Sequence, residues 1–154
     1  MGHEKIEREI EINASPATVF EVITSAQHLS KWWPDEAVLD PTPGAVGELV
    51  FGDRSSGEAH IPRITVVDAE PPRLFSFRWT YDNGESPGPA NSLLVTFELV
   101  PSGAGTTLRF RETGYRERGW EAAVLEAYYN DHRQGWDFYL PRLAETASGL
   151  AAAR

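Results

Sequence analysis

Cysteine is absent from this 154-residue sequence. That absence removes disulfides, thiolate nucleophiles and cysteine-based zinc or iron–sulfur sites together, and it suits a reducing compartment. Basic residues are also scarce: 14 Lys and Arg stand against 23 Asp and Glu, for a formal net charge of −9. A field of that sign repels phosphate backbones and anionic lipid surfaces, so no nucleic acid partner is expected. Long apolar runs are missing too. None approaches the roughly 20 residues a membrane helix requires, so no membrane span is expected. The opening residues, MGHEKIEREIEI, lack the cationic-then-apolar order of a secretory signal, and a cytoplasmic location follows by default.

Other chemistries are excluded by missing patterns. His3, His28, His60 and His132 show no metal-ligand spacing and no HExxH-like pair, so neither a metal nor a cofactor is expected. There is no nucleophile elbow, P-loop or dinucleotide fingerprint. GELVFGDRSSG has glycines but no Lys-Ser/Thr pair and no strand-to-helix context, so it reads as a turn-rich hairpin. RFRETGYRER is locally basic, yet Glu112 and Glu117 interrupt its arginines, which reads as a solvated strand face and turn.

What remains is an ordinary globular composition, 41% hydrophobic and 24% charged, in a length that suits one domain over residues 1–154. IEREIEI alternates: Ile6, Arg8, Ile10 and Ile12 share one parity and three glutamates hold the other, as in a half-buried strand. NASPATVFEVITS then offers an N-cap at Ser15 and Pro16 at the first helical position. A second short helix, with Ser25 as its cap, ends before Pro34. Five β-type segments follow, near 46–51, 58–69, 73–81, 91–101 and 105–113, which predicts an antiparallel meander. Phe75, Phe77 and Trp79 share one parity, as do Leu93, Val95, Phe97 and Leu99; Leu108, Phe110 and Glu112 lie together on the last strand. One sheet face is therefore aromatic and needs a cover. Residues 81–91 read as an exposed, mobile hairpin loop.

The cover is a long C-terminal helix. Leu125, Tyr129, His132, Tyr139, Leu140, Leu143 and Ala147 fall within roughly 60° of Trp136 on a helical wheel. Gln134, Phe138, Pro141 and Glu145 take the opposite side, where the carbonyl that Pro141 leaves unpaired can turn to water. Gly135 costs helix propensity, and its missing side chain would permit another element to approach closely.

Three words in this order, ASPATVFEVITSAQHLSKWW, DAEPPRLFSFRW and GWDFYLPRL, resemble signatures of the activator of heat-shock protein 90 ATPase homologue-like family. That family lies within the START-like (SRPBCC) helix-grip superfamily of polyketide cyclases and lipid carriers, and the match covers nearly the whole chain. The resemblance implies an α+β helix-grip fold: a curved antiparallel sheet of about six strands wrapped around the long C-terminal helix, with two short helices after strand one and a cavity between sheet and helix. It says less about function, because the fold hosts carriers, cyclases, dehydratases and chaperone cofactors. The sequence departs at RETGY, where Glu112 stands in place of a His found near the end of the last strand in many relatives. No role of that His carries over.

Trp32, Trp33, Phe75, Phe77, Trp79, Phe97, Phe110, Tyr129, Trp136 and Tyr139 are the candidate walls of an apolar pocket, with Glu112 and His132 as polar handles. The alternative is a filled core, which a domain of this length needs in any case. Trp32 and Trp33, adjacent on a helix, should point about 100° apart, one inward and one at the cavity mouth. His132 is either a base or a satisfied core histidine. Glu112 and Arg8 share inward parity and are expected to pair. The favoured function is a binding protein for a small hydrophobic or aromatic molecule. The alternatives are a cyclase- or dehydratase-type enzyme using pocket His, Tyr or Glu groups, and a chaperone-ATPase cofactor acting by protein contact. Phe138 on the outer helix face leaves room for a homodimer or protein partner.

Overall fold

The structure is a computed structural model that describes residues 5–80, 91–114 and 122–154. In chain order the elements are β1 (Lys5–Ile12), α1 (Pro16–Thr24), α2 (Ala26–Trp32), β2 (Glu36–Val38), β3 (Val46–Val50), β4 (Arg63–Glu70), β5 (Leu74–Thr80), β6 (Ser92–Ser102), β7 (Gly105–Thr113) and α3 (Ala122–Ala152). All seven strands join one antiparallel sheet in the order β1-β7-β6-β5-β4-β3-β2. The strand beyond the expected six is β2, whose three residues pair with β3. That pairing needs Gly47, since a Cβ there would lie 2.0 Å from the Val38 carbonyl oxygen. The segment expected as strand from 58 pairs in β4 only from Arg63. Before it lie a 3₁₀ turn at Arg54–Ser56 and an isolated bridge between Phe51 and His60. Residues 81–90, nearly all of the stretch 81–91 expected as a loop, and the arginines at 116 and 118 lie outside the described residues.

Register builds the core in rows. Phe75 faces Phe97, Phe97 faces Phe110, and Phe110 faces Arg8. One row over, Phe77, Val95, Glu112 and Ile6 stand abreast, so strand parity alone carries the Glu112 carboxylate into an apolar row. The three phenylalanines of the first row are at most 2% exposed, and burial of each contributes about 1.5–3 kcal/mol.

The helices close this face. Ser15 caps α1 by accepting from the Thr18 amide, with Pro16 in the first turn. Ser25 occupies the N-cap position of α2 but makes no side-chain cap bond. α3 buries Trp136, Leu140, Leu143 and Ala147, and exposes Gln134, Phe138, Pro141 and Glu145, as the wheel predicts. At 31 residues it runs about 46 Å, unbroken through Pro141.

Trp32 and Trp33 depart from the expected 100° separation. α2 ends at Trp32, and Trp33 turns out of helical geometry at φ −130°, ψ −94°. The two rings therefore stack, 5.7 Å apart at 19°, and both are buried. The 100° rule failed because it assumed a helix that had already stopped.

Candidate functional site

Glu112 is fully buried in the middle of the protein. Its Oε2 accepts from the Trp79 indole N–H at 2.9 Å, and its Oε1 accepts from the Trp136 indole N–H at 3.0 Å. The His132 Nδ1 also lies 3.0 Å from Oε1. An indole nitrogen can only donate, so both carboxylate oxygens are committed as acceptors, and the arrangement is matched to the ionised form. The cluster joins β5, β7 and α3, with His132 and Trp136 one turn apart on the same helix face.

These groups stand behind a cleft of about 510 Å³ between the sheet and α3. Its lining comprises Trp33, Phe51, His60, Trp79, Tyr128, Asp131, His132, Gln134, Gly135, Trp136, Phe138 and Tyr139. Trp33 is the hub of the wall, with ring centroids 4.8 Å from Trp136, 5.2 Å from Trp79 and 5.9 Å from Phe51. The His132 ring lies 4.4 Å from Tyr128 and 5.3 Å from Trp79. Offset and tilted contacts of this kind favour a rigid wall. Gly135 contributes by omission: a Cβ there would meet nothing within 4 Å, so its role is an open flank to the cleft and not the close approach of another element.

The expected pocket residues divide into groups. Trp33, Trp79, His132, Trp136 and Tyr139 line the cleft. Glu112 sits behind that wall and holds two of its indoles and its imidazole. Trp32, Phe75, Phe77, Phe97 and Phe110 are packed core, none more than 3% exposed: strand register turns the phenylalanines toward each other and α1, and Trp32, at the end of α2, donates its indole N–H to the Val22 carbonyl. Tyr129 turns to the edge of the sheet and donates its hydroxyl to the Lys5 carbonyl at 3.0 Å. Sequence spacing did not point to Phe51, His60, Tyr128, Asp131 or Gln134. Tyr128 was findable, four residues before His132; Phe51 and His60 come from an irregular segment with no periodic signal.

Arg8 does not pair with Glu112. Its Nε reaches Asp137 Oδ1 on α3 at 2.7 Å, and its second terminal nitrogen lies 3.2 Å from Oδ2. Arg8 stands across from Phe110, a row away from Glu112, and its long stem carries the charge out to a half-exposed acid. The hydrogen bond from Arg8 holds the Asp137 carboxyl below the ordinary carboxylate range.

The family described as Activator of Hsp90 ATPase homolog 1-like protein matches residues 13–148. The chain belongs to that family. Solved structures show that this family member shares its fold with proteins of low sequence identity. Protein MLL2253 from Mesorhizobium loti superposes with a TM-score of 0.73 at 18% identity, covering 92% of this chain and 95% of that one. Protein CV1439 from Chromobacterium violaceum gives 0.72 at 21%, covering 94% and 97%. The Aha1 dimer from Colwellia psychrerythraea gives 0.69 at 20%, covering 94% and 96%. No curated protein matches the sequence. Among the described residues of this family member, no helix is long and apolar enough to cross a membrane.

Proposed function

We propose that this chain binds a small aromatic molecule in the cleft between the sheet and α3. The observation that carries this reading is the wall itself: three tryptophans, two tyrosines and two phenylalanines around about 510 Å³, with His60, Asp131, His132 and Gln134 as its polar groups. Small-molecule sites combine these properties: a concave apolar surface of roughly 300–1,000 Å³ and a small set of oriented polar atoms. The Glu112 cluster pre-forms that surface, because each indole it holds is a wall residue.

Trp33, Trp79 and Trp136 make the test direct, since a ligand in the cleft would alter their fluorescence. Titration with a broad panel of aromatic compounds, together with thermal shift and mass spectrometry of whatever co-purifies, should yield at least one saturable ligand. A panel that changes neither fluorescence nor melting temperature, with nothing co-purifying, removes the reading.

One observation favours a second reading, an enzyme of the cyclase or dehydratase type. His132 and Glu112 form a carboxylate–imidazole pair at 3.0 Å in the cleft wall, the arrangement that orients a catalytic imidazole. Proton transfer on a bound ligand, lost in His132→Gln with binding retained, is its expected signature. The chaperone-cofactor reading rests on less, because Phe138, the exposed ring on α3, belongs to the cleft rim. Self-association is compatible with either reading, as the Colwellia relative is a dimer.

A further inference from the structure

Resting on the reading of the cleft as a ligand site, we infer that His132 presents its Nε2 to the cleft as a hydrogen-bond acceptor, and that the ligand class this selects is a phenol, an aromatic ring bearing an O–H. The chain of contacts begins behind the wall. Glu112 Oε2 accepts from the Trp79 indole at 2.9 Å and Oε1 accepts from the Trp136 indole at 3.0 Å, and an ionised carboxylate has no proton to donate. His132 Nδ1, 3.0 Å from Oε1, therefore carries the imidazole proton. In a neutral ring, a proton fixed on one nitrogen leaves the other with a lone pair. That other nitrogen is Nε2, which projects from the ring away from the Glu112 contact.

His132 is also placed and held for such a role. It lines the cleft, with 11% of its side chain exposed. Its ring packs against Tyr128 at 4.4 Å and Trp79 at 5.3 Å, so a ligand meets an acceptor already in place, and little side-chain ordering opposes binding.

The other polar groups of the lining do not reverse the preference. The N–H donors of Trp79 and Trp136 are turned back to Glu112 and not toward a ligand. Asp131, at the exposed margin, only accepts when ionised. Gln134, His60 and the two tyrosines can donate or accept, so they select neither kind of ligand. An aromatic hydroxyl matches the ring wall and the acceptor at once. The corresponding aryl ether sets an oxygen lone pair against the one on Nε2 and leaves a desolvated acceptor unpaired.

Three probes on one ring system separate these contributions: 2-naphthol, 2-methoxynaphthalene and 2-methylnaphthalene. Equilibrium dialysis at about pH 8, where an ordinary phenol keeps its proton, reads their affinities. 2-Naphthol should bind about fivefold more tightly than either of the others, the scale of one ordinary hydrogen bond. In His132→Asn, whose amide keeps a donor near Glu112 and has no atom at the Nε2 position, that preference should vanish. Nitrogen-15 spectra of the histidine rings give a reading without ligand: His132 Nδ1 should be protonated and Nε2 not. If His132→Asn does not fold, the spectra and the three-probe comparison on the parent carry the test. 2-Methoxynaphthalene binding as tightly as 2-naphthol, or a protonated Nε2, overturns the inference and leaves the ligand-site reading standing. A preference that survives in folded His132→Asn overturns it as well, because the acceptor is then another group. If none of the three binds, the inference falls. The broad aromatic panel then decides whether the ligand-site reading falls with it.

Discussion

At the scale of single residues, Glu112 has the largest consequences. A carboxylate with no exposure is costly to bury, and here two indole N–H donors and the adjoining His132 imidazole offset that cost. Glu112→Gln keeps the shape and replaces one acceptor oxygen with an NH₂ donor. Whichever way the amide turns, at least one indole N–H then faces a donor. Leaving one such group unsatisfied costs about 1–3 kcal/mol, and urea denaturation should show a loss of that size with an unchanged m value. An unaltered midpoint would mean the cluster is not what holds α3 to the sheet. The inward parity of Glu112 was legible in the sequence, because alternation fixes which face a strand residue occupies. Its partners were not. Arg8 shares that parity, and only the register, which sets Arg8 across from Phe110 and Ile6 across from Glu112, separates them.

At the scale of elements, α3 shows both what periodicity reveals and where it stops. The wheel divided the helix correctly into a buried stripe and an exposed stripe, with Trp136 inside and Phe138 outside. It could not show that the cleft opens along the flank between them, where Gln134, Gly135 and Phe138 form the margin. Two other elements escaped the pattern for physical reasons. β2 is too short to alternate, and α2 ends one residue before Trp33 and so lets the two tryptophans stack. Gly135 gives the helix a testable feature. Since a Cβ there meets open space, Gly135→Ala should gain about 1 kcal/mol of helix propensity, raising Tm by about 2–4 °C. Gly135→Leu should keep the fold, extend a side chain into the cleft and weaken aromatic ligand binding about tenfold or more. Loss of binding in the Leu variant with a native melting curve would separate cleft occupancy from folding. A Leu variant that binds like the parent would place the ligand elsewhere.

At the scale of the whole molecule, acid stability depends on how α3 is tied to the rest. Among the described residues, two arginine–carboxylate pairs do this at separate places: Arg8 with Asp137 joins β1 to the middle of α3, and Arg154 with Glu21 joins the residues after α3 to α1. In each, the arginine hydrogen bond is the largest cause of a lowered carboxyl pKa, from an ordinary 3.8 for Asp137 and 4.5 for Glu21. Below those ordinary values the unfolded chain binds protons that the folded carboxylates still refuse, so stability falls as pH falls. The contribution is complete above the unfolded value and is gone once the pH drops below the folded one. Both acids are more than a third exposed, at 46% and 37%, so solvent screening limits each pair to about 0.2–1 kcal/mol. Asp137→Asn with Glu21→Gln should therefore destabilise the protein by about 0.5–2 kcal/mol at neutral pH. The variant and parent curves should converge as the pH falls from about 5 to about 2, where the parent carboxylates are protonated as well. Added salt should shrink the neutral-pH gap. Urea midpoints measured across that range decide the matter: parallel curves would show that neither pair contributes to acid sensitivity, and that acid acts through groups elsewhere in the protein.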